Sequence, residues 1–270
     1  MAGQVSSKDT ISGRAQPAAP PTEYSHVLST ISAKRLANMS QVPLPSLASQ
    51  HSVTVMSVNL FFPNPDLLPV HGFGYLIPRS VPLNQNPERA LGVVFDSDAT
   101  VGQDTIEGTK VTVMLGGHWW DVFDTYPDEE EGAAMARSVL RRHLGITDVP
   151  SRTLVSLQRD CIPQYTVGHD QRMQVAHRAL RDGYQGRLQV AGNSYTGVGL
   201  NDCVAAGVNA AMTVADDVLR GDDGAWSPSS TRVWTGLEDF DSFPEMKWWT
   251  PGTGEGGEQT FVPFQDMQRS

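Results

Sequence analysis

Residues 188–207, LQVAGNSYTGVGLNDCVAAG, contain the pattern that decides the fold. Apolar Leu188 and Val190 lead into a stretch of Gly, Asn, Ser and Thr, after which an alanine-rich segment begins. This order predicts a buried strand, a tight turn and a helix whose first turn carries little side-chain bulk. The free N–H groups at such a helix start attract an anion or a polarised carbonyl oxygen. Glycine turns are also common in ordinary strand–turn–helix connections, so the spacing alone leaves both interpretations open.

The remaining sequence alternates strand-like and helix-like patterns from about residue 23 to residue 220. The predicted strands are 52–62, 74–78, 90–97, 110–117, 152–158 and 187–192, and the predicted helices are 130–144, 169–182 and 199–219. Four predicted strands precede the first of these helices, so the pattern is not a simple βαβ repeat and a mixed α+β body is favoured. Residues 1–22 and 221–270 are rich in small and polar residues and are predicted to be unstructured.

The composition argues against several classes of function. The chain of 270 residues carries 20 Lys and Arg against 30 Asp and Glu, and the net charge of −10 argues against nucleic acid as a partner. The two cysteines, Cys161 and Cys203, lack the spacing of a disulfide framework or a metal site and fit a reducing compartment. The longest apolar run, 52–62, is far shorter than the ~20 residues that span a bilayer, and no signal-peptide pattern opens the chain.

Two catalytic motifs fail the test of context. The pattern G-x-G-x-x-G occurs at residues 252–257, where neither a strand precedes it nor a helix follows, so it does not predict a dinucleotide-binding loop. A nucleophile elbow needs G-x-S-x-G between a strand and a helix. The chain has Gly192 and Ser194 at the required spacing, but two residues separate Ser194 from Gly197 where the motif has one. The sequence therefore argues against a serine hydrolase and assigns no catalytic side chain.

Two segments combine glycine with aromatic residues. HGFGYLIP at 71–78 places an aromatic residue between two glycines, and VTVMLGGHWW at 111–120 is a predicted strand that ends in two glycines and two tryptophans. Each segment is compatible with an edge of the hydrophobic core. Each is equally compatible with a flat aromatic wall beside a planar ligand.

Five segments taken in order carry a resemblance to a known family. They are GFGYLIPRS (72–80), ALGVVFDSD (90–98), VTVMLGGHWW (111–120), CIPQYTVGH (161–169) and AGNSYTGVGLNDCVAAG (191–207). Over roughly residues 23–216 the chain resembles the C-terminal half of the oxygen-dependent protoporphyrinogen oxidases, of the fungal type. Related flavin amine oxidases and desaturases share the final strand–turn–helix, but CIPQYTVGH and the string around Asn201 and Asp202 point to the porphyrinogen enzymes.

The resemblance implies a flavoenzyme of haem synthesis. Its cofactor would be FAD, its partners protoporphyrinogen IX and O2, and its products protoporphyrin IX and hydrogen peroxide. The fold would be part of an FAD-linked oxidoreductase, namely the mixed sheet of the substrate domain together with the last strand–turn–helix of the FAD domain. Residues 23–110 would form a sheet segment of the substrate domain, and residues 111–220 the end of that domain and the strand–turn–helix. Peripheral association with the mitochondrial inner membrane and a homodimer are implied in the same way.

The resemblance also assigns site residues. The residues expected to contact FAD are Trp119, Gly192, Asn193, Val198, Gly199 and Leu200. The residues expected to form apolar walls of the substrate cavity are Val53, Phe73 and Tyr75. The helix start would then face the pyrimidine edge of the flavin, where negative charge develops on reduction.

The family's N-terminal half has no counterpart in this sequence. Members begin with a strand, G-x-G-x-x-G and an acidic residue for the ribose of FAD, and residues 1–50 supply none of these. The expectation is therefore a truncated protoporphyrinogen oxidase that lacks its Rossmann half. Two alternatives stay open: an inactive remnant or partner-binding fragment, and a different flavin amine oxidase or desaturase.

Overall fold

The computed structural model describes residues 24, 26–100, 102, 105–121, 123, 125–220 and 233–241. The segment 1–22 and the G-x-G-x-x-G at 252–257 lie outside the described residues. The strands are β1 (Val27–Ser29), β2 (Ser52–Phe62), β3 (Gly74–Leu76), β4 (Ala90–Val94), β5 (Thr109–Gly116), β6 (Arg152–Pro163) and β7 (Leu188–Val190). The helices are α1 (Ala33–Met39), α2 (Pro45–Ala48), α3 (Asp96–Ala99), α4 (Glu129–Leu144), α5 (His169–Tyr184) and α6 (Leu200–Arg220), with 3-10 turns at Gly117–Trp120 and Glu238–Phe240.

A five-stranded antiparallel sheet forms the larger body, with strand order β3-β4-β5-β2-β6. Its central strand β2 buries every second side chain, since Met56, Val58, Leu60 and Phe62 are each no more than 1% exposed. These side chains share a core with α4, which covers this face of the sheet. The sheet therefore has one face sealed by a helix, as the alternating pattern of 52–62 requires.

Helix α4 has its ends defined by local chemistry. The Asp128 carboxylate accepts a hydrogen bond from the Glu131 N–H, and the Glu131 carboxylate accepts one from the Asp128 N–H, which forms a capping box. Gly145 ends the helix in the left-handed conformation with φ of +70°. The predicted helix at 130–144 is confirmed by these caps.

A second, smaller body surrounds the parallel pair of β1 and β7. Helices α1, α2 and α5 contribute its core, in which Ala33, Leu47 and Met173 are fully buried. The two bodies interleave along the chain, because β1, α1 and α2 precede the large sheet and α5 and β7 follow it. Neither body is therefore one continuous stretch of the chain, and the division into residues 23–110 and 111–220 stays a prediction.

Residues 233–241 pack against the second body, although they lie within the segment 221–270 that was expected to be unstructured. The Val190 N–H donates to the Thr235 carbonyl at 2.9 Å, so this segment lies along the edge of β7 that faces away from β1. Leu237 is 1% exposed and Phe240 is 8% exposed. These two apolar anchors attach an otherwise polar segment to the core; the other residues of 221–270 lie outside the described part.

Helix α6 presents an apolar stripe to solvent. Leu200, Val204, Val208 and Met212 recur every four residues, which places them on one helix face, and each is at least half exposed. Among the described helices, none combines the length and the apolar character that crossing a membrane requires.

We expect Leu237→Ala to lower the free energy of unfolding by about 3 kcal/mol, because it leaves a cavity in the second core. Leu200→Ala is the matched control: the same truncation at an exposed site should change stability by less than about 0.5 kcal/mol. Urea denaturation followed by tryptophan fluorescence measures both. Equal midpoints for the two variants would show that residues 233–241 do not hold the core.

Candidate functional site

The turn that follows β7 begins with a glycine in a special conformation. Gly192 has φ of +120°, which L-residues with side chains rarely adopt. The Thr30 carbonyl oxygen, at 3.6 Å, is the sole described atom within 4 Å of the position that a Cβ would occupy. Backbone geometry and free space together therefore favour glycine here, and they leave one side of the turn open to a ligand.

Ser194 is buried within this turn. Its side-chain oxygen accepts a hydrogen bond from the Ala33 N–H at the start of α1, at 3.2 Å, and the residue is 2% exposed. A serine nucleophile needs an accessible oxygen beside a base. The hydroxyl of Ser194 instead links the turn to α1, in agreement with the argument from spacing against a hydrolase.

The start of α6 carries its own carboxylate. Asp202 Oδ2 accepts a hydrogen bond from the Gly199 N–H at 3.0 Å, and a Cβ at Gly197 would lie 2.4 Å from the same carboxyl group. Gly197 is therefore required by the Asp202 side chain. The sequence pattern predicted free N–H groups at this helix start, whereas at least that of Gly199 is paired. An acidic residue three positions after the cap is the signal that could have shown this.

The residues expected to contact FAD fall in two places. Gly192, Asn193, Val198, Gly199 and Leu200 lie together on the turn, where Val198 is 50% and Leu200 80% exposed. Trp119 lies in the 3-10 turn after β5 and packs against His118, with ring centroids 4.6 Å apart and the rings tilted by 36°. Its indole N–H is buried and has no hydrogen-bond partner among the described residues.

Residues 50 and 51 connect these two places. The Gln50 side-chain amide donates to the Ser194 carbonyl in the turn. The neighbouring His51 lies with Nε2 3.3 Å from Asp121 Oδ1, directly after the turn that carries Trp119. One short link before β2 thus contacts both the glycine turn and the tryptophan turn. The position of Gln50 has no motif that sequence reasoning could have used.

Val53 lies close to the same region. It is 7% exposed and pairs with Ile162 across β2 and β6. The carbonyl of the adjacent Cys161 accepts a hydrogen bond from Asn193 Nδ2 at 3.3 Å. Val53 is therefore connected to the turn through Ile162, Cys161 and Asn193. Its role in the wall of a substrate cavity stays a prediction.

Phe73 and Tyr75 lie at the opposite edge of the sheet. Strand β3 is four strand spacings from β6, which is about 19 Å at ~4.8 Å for each spacing. Phe73 is 74% exposed, whereas Tyr75 packs on the core covered by α4 and its hydroxyl lies 2.8 Å from His143 Nδ1. Burial raises the pKa of Tyr75, and burial together with Arg142 lowers the pKa of His143, so the phenol donates to a neutral imidazole. The substrate contacts expected for both residues stay predictions.

Comparison with solved structures defines the class of the fold. A protein assigned as a protoporphyrinogen oxidase from Exiguobacterium sp. 255-15 superposes with a TM-score of 0.62 at 24% identity, covering 73% of this chain and 42% of that one. Cyclohexylamine oxidase from Brevibacterium oxydans superposes with a TM-score of 0.53 at 14% identity, covering 74% and 45%. No protein-family profile matches the chain. The antiparallel sheet, the parallel β1–β7 pair and the turn and helix that follow it are thus part of an FAD-linked oxidoreductase fold; the large sheet is antiparallel, and not mixed as expected.

Sequence comparison narrows this class. Protoporphyrinogen oxidase of Homo sapiens is 38% identical over 200 residues, covering 71% of this chain and 40% of that protein. Protoporphyrinogen oxidase of Schizosaccharomyces pombe is 34% identical over 196 residues, covering 71% and 38%. The chain is homologous to part of the protoporphyrinogen oxidases and spans about two fifths of the length of these curated relatives. Since animal and fungal relatives match to a similar degree, the fungal type stays a prediction.

We expect Asp202→Ala to speed amide hydrogen exchange in the first turn of α6 about five-fold, because losing such a cap costs about 1 kcal/mol. Gly197→Ala should have a similar effect, since its Cβ displaces the same carboxylate. The double variant should then be little faster than either single variant. Exchange followed by mass spectrometry measures this cycle, and fully additive effects would contradict the coupling of Gly197 to Asp202.

Proposed function

We propose that this chain supplies the substrate sheet and the flavin-facing turn of an enzyme that oxidises protoporphyrinogen IX to protoporphyrin IX. FAD would be the cofactor, and O2 would reoxidise it with release of hydrogen peroxide. The identity of 38% to human protoporphyrinogen oxidase over 71% of the chain supports this proposal. The observation that carries it is the open, glycine-led turn after β7, in which Gly192 has free space beside it and residues 198–200 are exposed.

The residues present fit a bound flavin. The space beside Gly192 admits close approach of a ligand to the backbone, and exposed Val198 and Leu200 offer apolar contact to a planar ring. The buried indole N–H of Trp119 has no partner in the described part of the chain, which marks it as a donor for a ligand acceptor. When bound, FAD accepts hydride equivalents from the porphyrinogen.

In this arrangement the chain's own residues bind, orient and shield. Gly192 and Asn193 would hold the ring by backbone contact, with Val198, Gly199 and Leu200 beside it. The Gly199 N–H donates a hydrogen bond to the Asp202 carboxylate. The helix start therefore already has one negative charge beside it. The turn would therefore bind the uncharged edge of an oxidised flavin more favourably than an anionic ligand, which the Asp202 carboxylate would repel.

The exposed surfaces favour a complementary dinucleotide-binding half. The α6 stripe is apolar, and the edge of β1 facing away from β7 pairs with no described strand. Another parallel strand on β1 would extend the small sheet and lie under α6. Such a half would supply the remaining FAD contacts. The attachment to the mitochondrial inner membrane and the homodimer implied by the family resemblance belong to the same proposal.

Titration of FAD into the purified 270-residue chain, followed by visible absorption and fluorescence, tests the proposal. The chain should be titrated alone and together with a separately expressed dinucleotide-binding half of a protoporphyrinogen oxidase. Saturable binding in either sample, followed by oxidation of protoporphyrinogen IX with the two halves together, would support it. Absence of FAD binding in both samples would favour a non-catalytic remnant instead, and oxidation of an amine but not of the porphyrinogen would favour the amine oxidase alternative.

We expect Gly199→Asp to abolish FAD binding in the sample that binds it. Its Cβ would lie 3.0 Å from Asp202 Oδ2, which places a second carboxylate beside the first on the flavin-facing surface. Gly207→Asp is the matched control on the same helix, where nothing lies within 4 Å of the added Cβ. The control should keep FAD affinity within about two-fold, since no described atom crowds the added side chain and substitutions away from such crowding change little. Full occupancy in the Gly199 variant would exclude the turn as the flavin site.

A further inference from the structure

The backbone of residues 193–195 is held by three side chains from two separate places in the sequence. The Asn193 carbonyl accepts from the Tyr165 hydroxyl at 2.7 Å, the Ser194 carbonyl from the Gln50 amide, and the Tyr195 carbonyl from His169 Nε2 at 2.8 Å. Carbonyl groups at a turn are usually left to water or to the turn itself. Three successive carbonyls with three distant side-chain donors form a built arrangement.

We propose that Tyr165, Gln50 and His169 are positioning residues that fix the path of this turn and thereby set its contacts with the flavin. We call the three side chains the carbonyl cradle. The part of this inference that concerns the flavin rests on the proposed function, while the part that concerns the turn does not.

Two members of the carbonyl cradle act as one unit. The rings of Tyr165 and His169 stack with centroids 3.9 Å apart and an interplanar angle of 9°. His169 is 7% exposed at the start of α5, and Phe240 packs on its ring edge at 6.1 Å. Moving either ring would therefore move the donor to the other carbonyl as well.

Tyr165 and His169 can each donate a hydrogen bond to these carbonyl oxygens. Because a carbonyl oxygen can only accept, His169 must carry its proton on Nε2 to make this bond. Burial raises the pKa of Tyr165 to about 12, so its hydroxyl remains a donor well above neutral pH. The bond from Tyr165 to the Asn193 carbonyl is therefore kept at neutral pH.

The turn itself supplies little that could replace the cradle. Within residues 192–195 its backbone closes with one bond, from the Tyr195 N–H to the Gly192 carbonyl at 3.3 Å. Gly192, which has a positive φ and no side chain, leaves the backbone conformationally free at this point. Fixing Asn193 and Tyr195 from outside therefore removes the freedom that Gly192 introduces, and a displacement of about 1 Å at such a site is enough to lose ligand contacts.

Tyr165→Phe tests the cradle with the smallest change, because the stacked ring stays and only the hydroxyl is lost. Without FAD, amide hydrogen exchange of residues 193–197 should become about five-fold faster. In the sample that binds FAD, the dissociation constant should rise about five- to ten-fold and the visible circular dichroism of the bound flavin should change. Gln50→Met, which removes the donor to the next carbonyl, should reproduce both effects.

Tyr184→Phe is the matched control, since it removes a hydroxyl bond of 2.6 Å to Ser40 in the same body, outside the turn. It should leave the exchange of residues 193–197 and the flavin spectrum unchanged. Unchanged exchange in both Tyr165→Phe and Gln50→Met would overturn the cradle. Faster exchange with wild-type FAD affinity and spectrum would overturn its role toward the flavin. If no form of the protein binds FAD, the proposed function fails, and the exchange data alone decide whether the cradle holds the turn.

Discussion

The parallel pairing of β1 with β7 is the constraint on which the remaining structure depends. Val27 lies opposite Leu188, so two segments about 160 positions apart in sequence become neighbours in one small sheet. The chain between them must leave this sheet, form the large antiparallel sheet and return. The returning chain passes through β6 and α5. The segment CIPQYTVGH between them therefore lies beside the turn that follows β7. The site thus depends on chain crossing, and its anchors come from the links before β2 and after β6, which meet where Ser52 pairs with Pro163.

Long elements with strong patterns could be predicted from the sequence, and short ones could not. The predicted strand 52–62 matches β2 residue for residue, and its burial alternates from Met56 to Phe62. The acids before residue 130 and Gly145 after the last turn define α4. Strand β1 has three residues and α2 has four, which is too short for either periodicity to show. Val27–Ser29 becomes a strand because it pairs with a partner that no local pattern indicates.

The candidate site divides in the same way. The glycines around residues 192–199 signal a turn before a helix, because their conformational demands are local. What holds the turn is not local: Gln50 lies 144 positions from Ser194, and Ala33 lies 161 positions away. A single sequence contains no spacing rule for such contacts. The assignment of Trp119 and the glycine turn to one flavin site rests on the resemblance to a family and stays a prediction.

The segment beside β7 has a consequence for how this protein can assemble. With the Thr235 carbonyl bonded to Val190, the small sheet has one edge closed, and further strands can add through β1 alone in the described part of the chain. Growth of the sheet is therefore directional. A strand that pairs with β1 extends the small sheet in one direction. Two copies of the chain cannot pair edge to edge through β7, because residue 235 already occupies that edge.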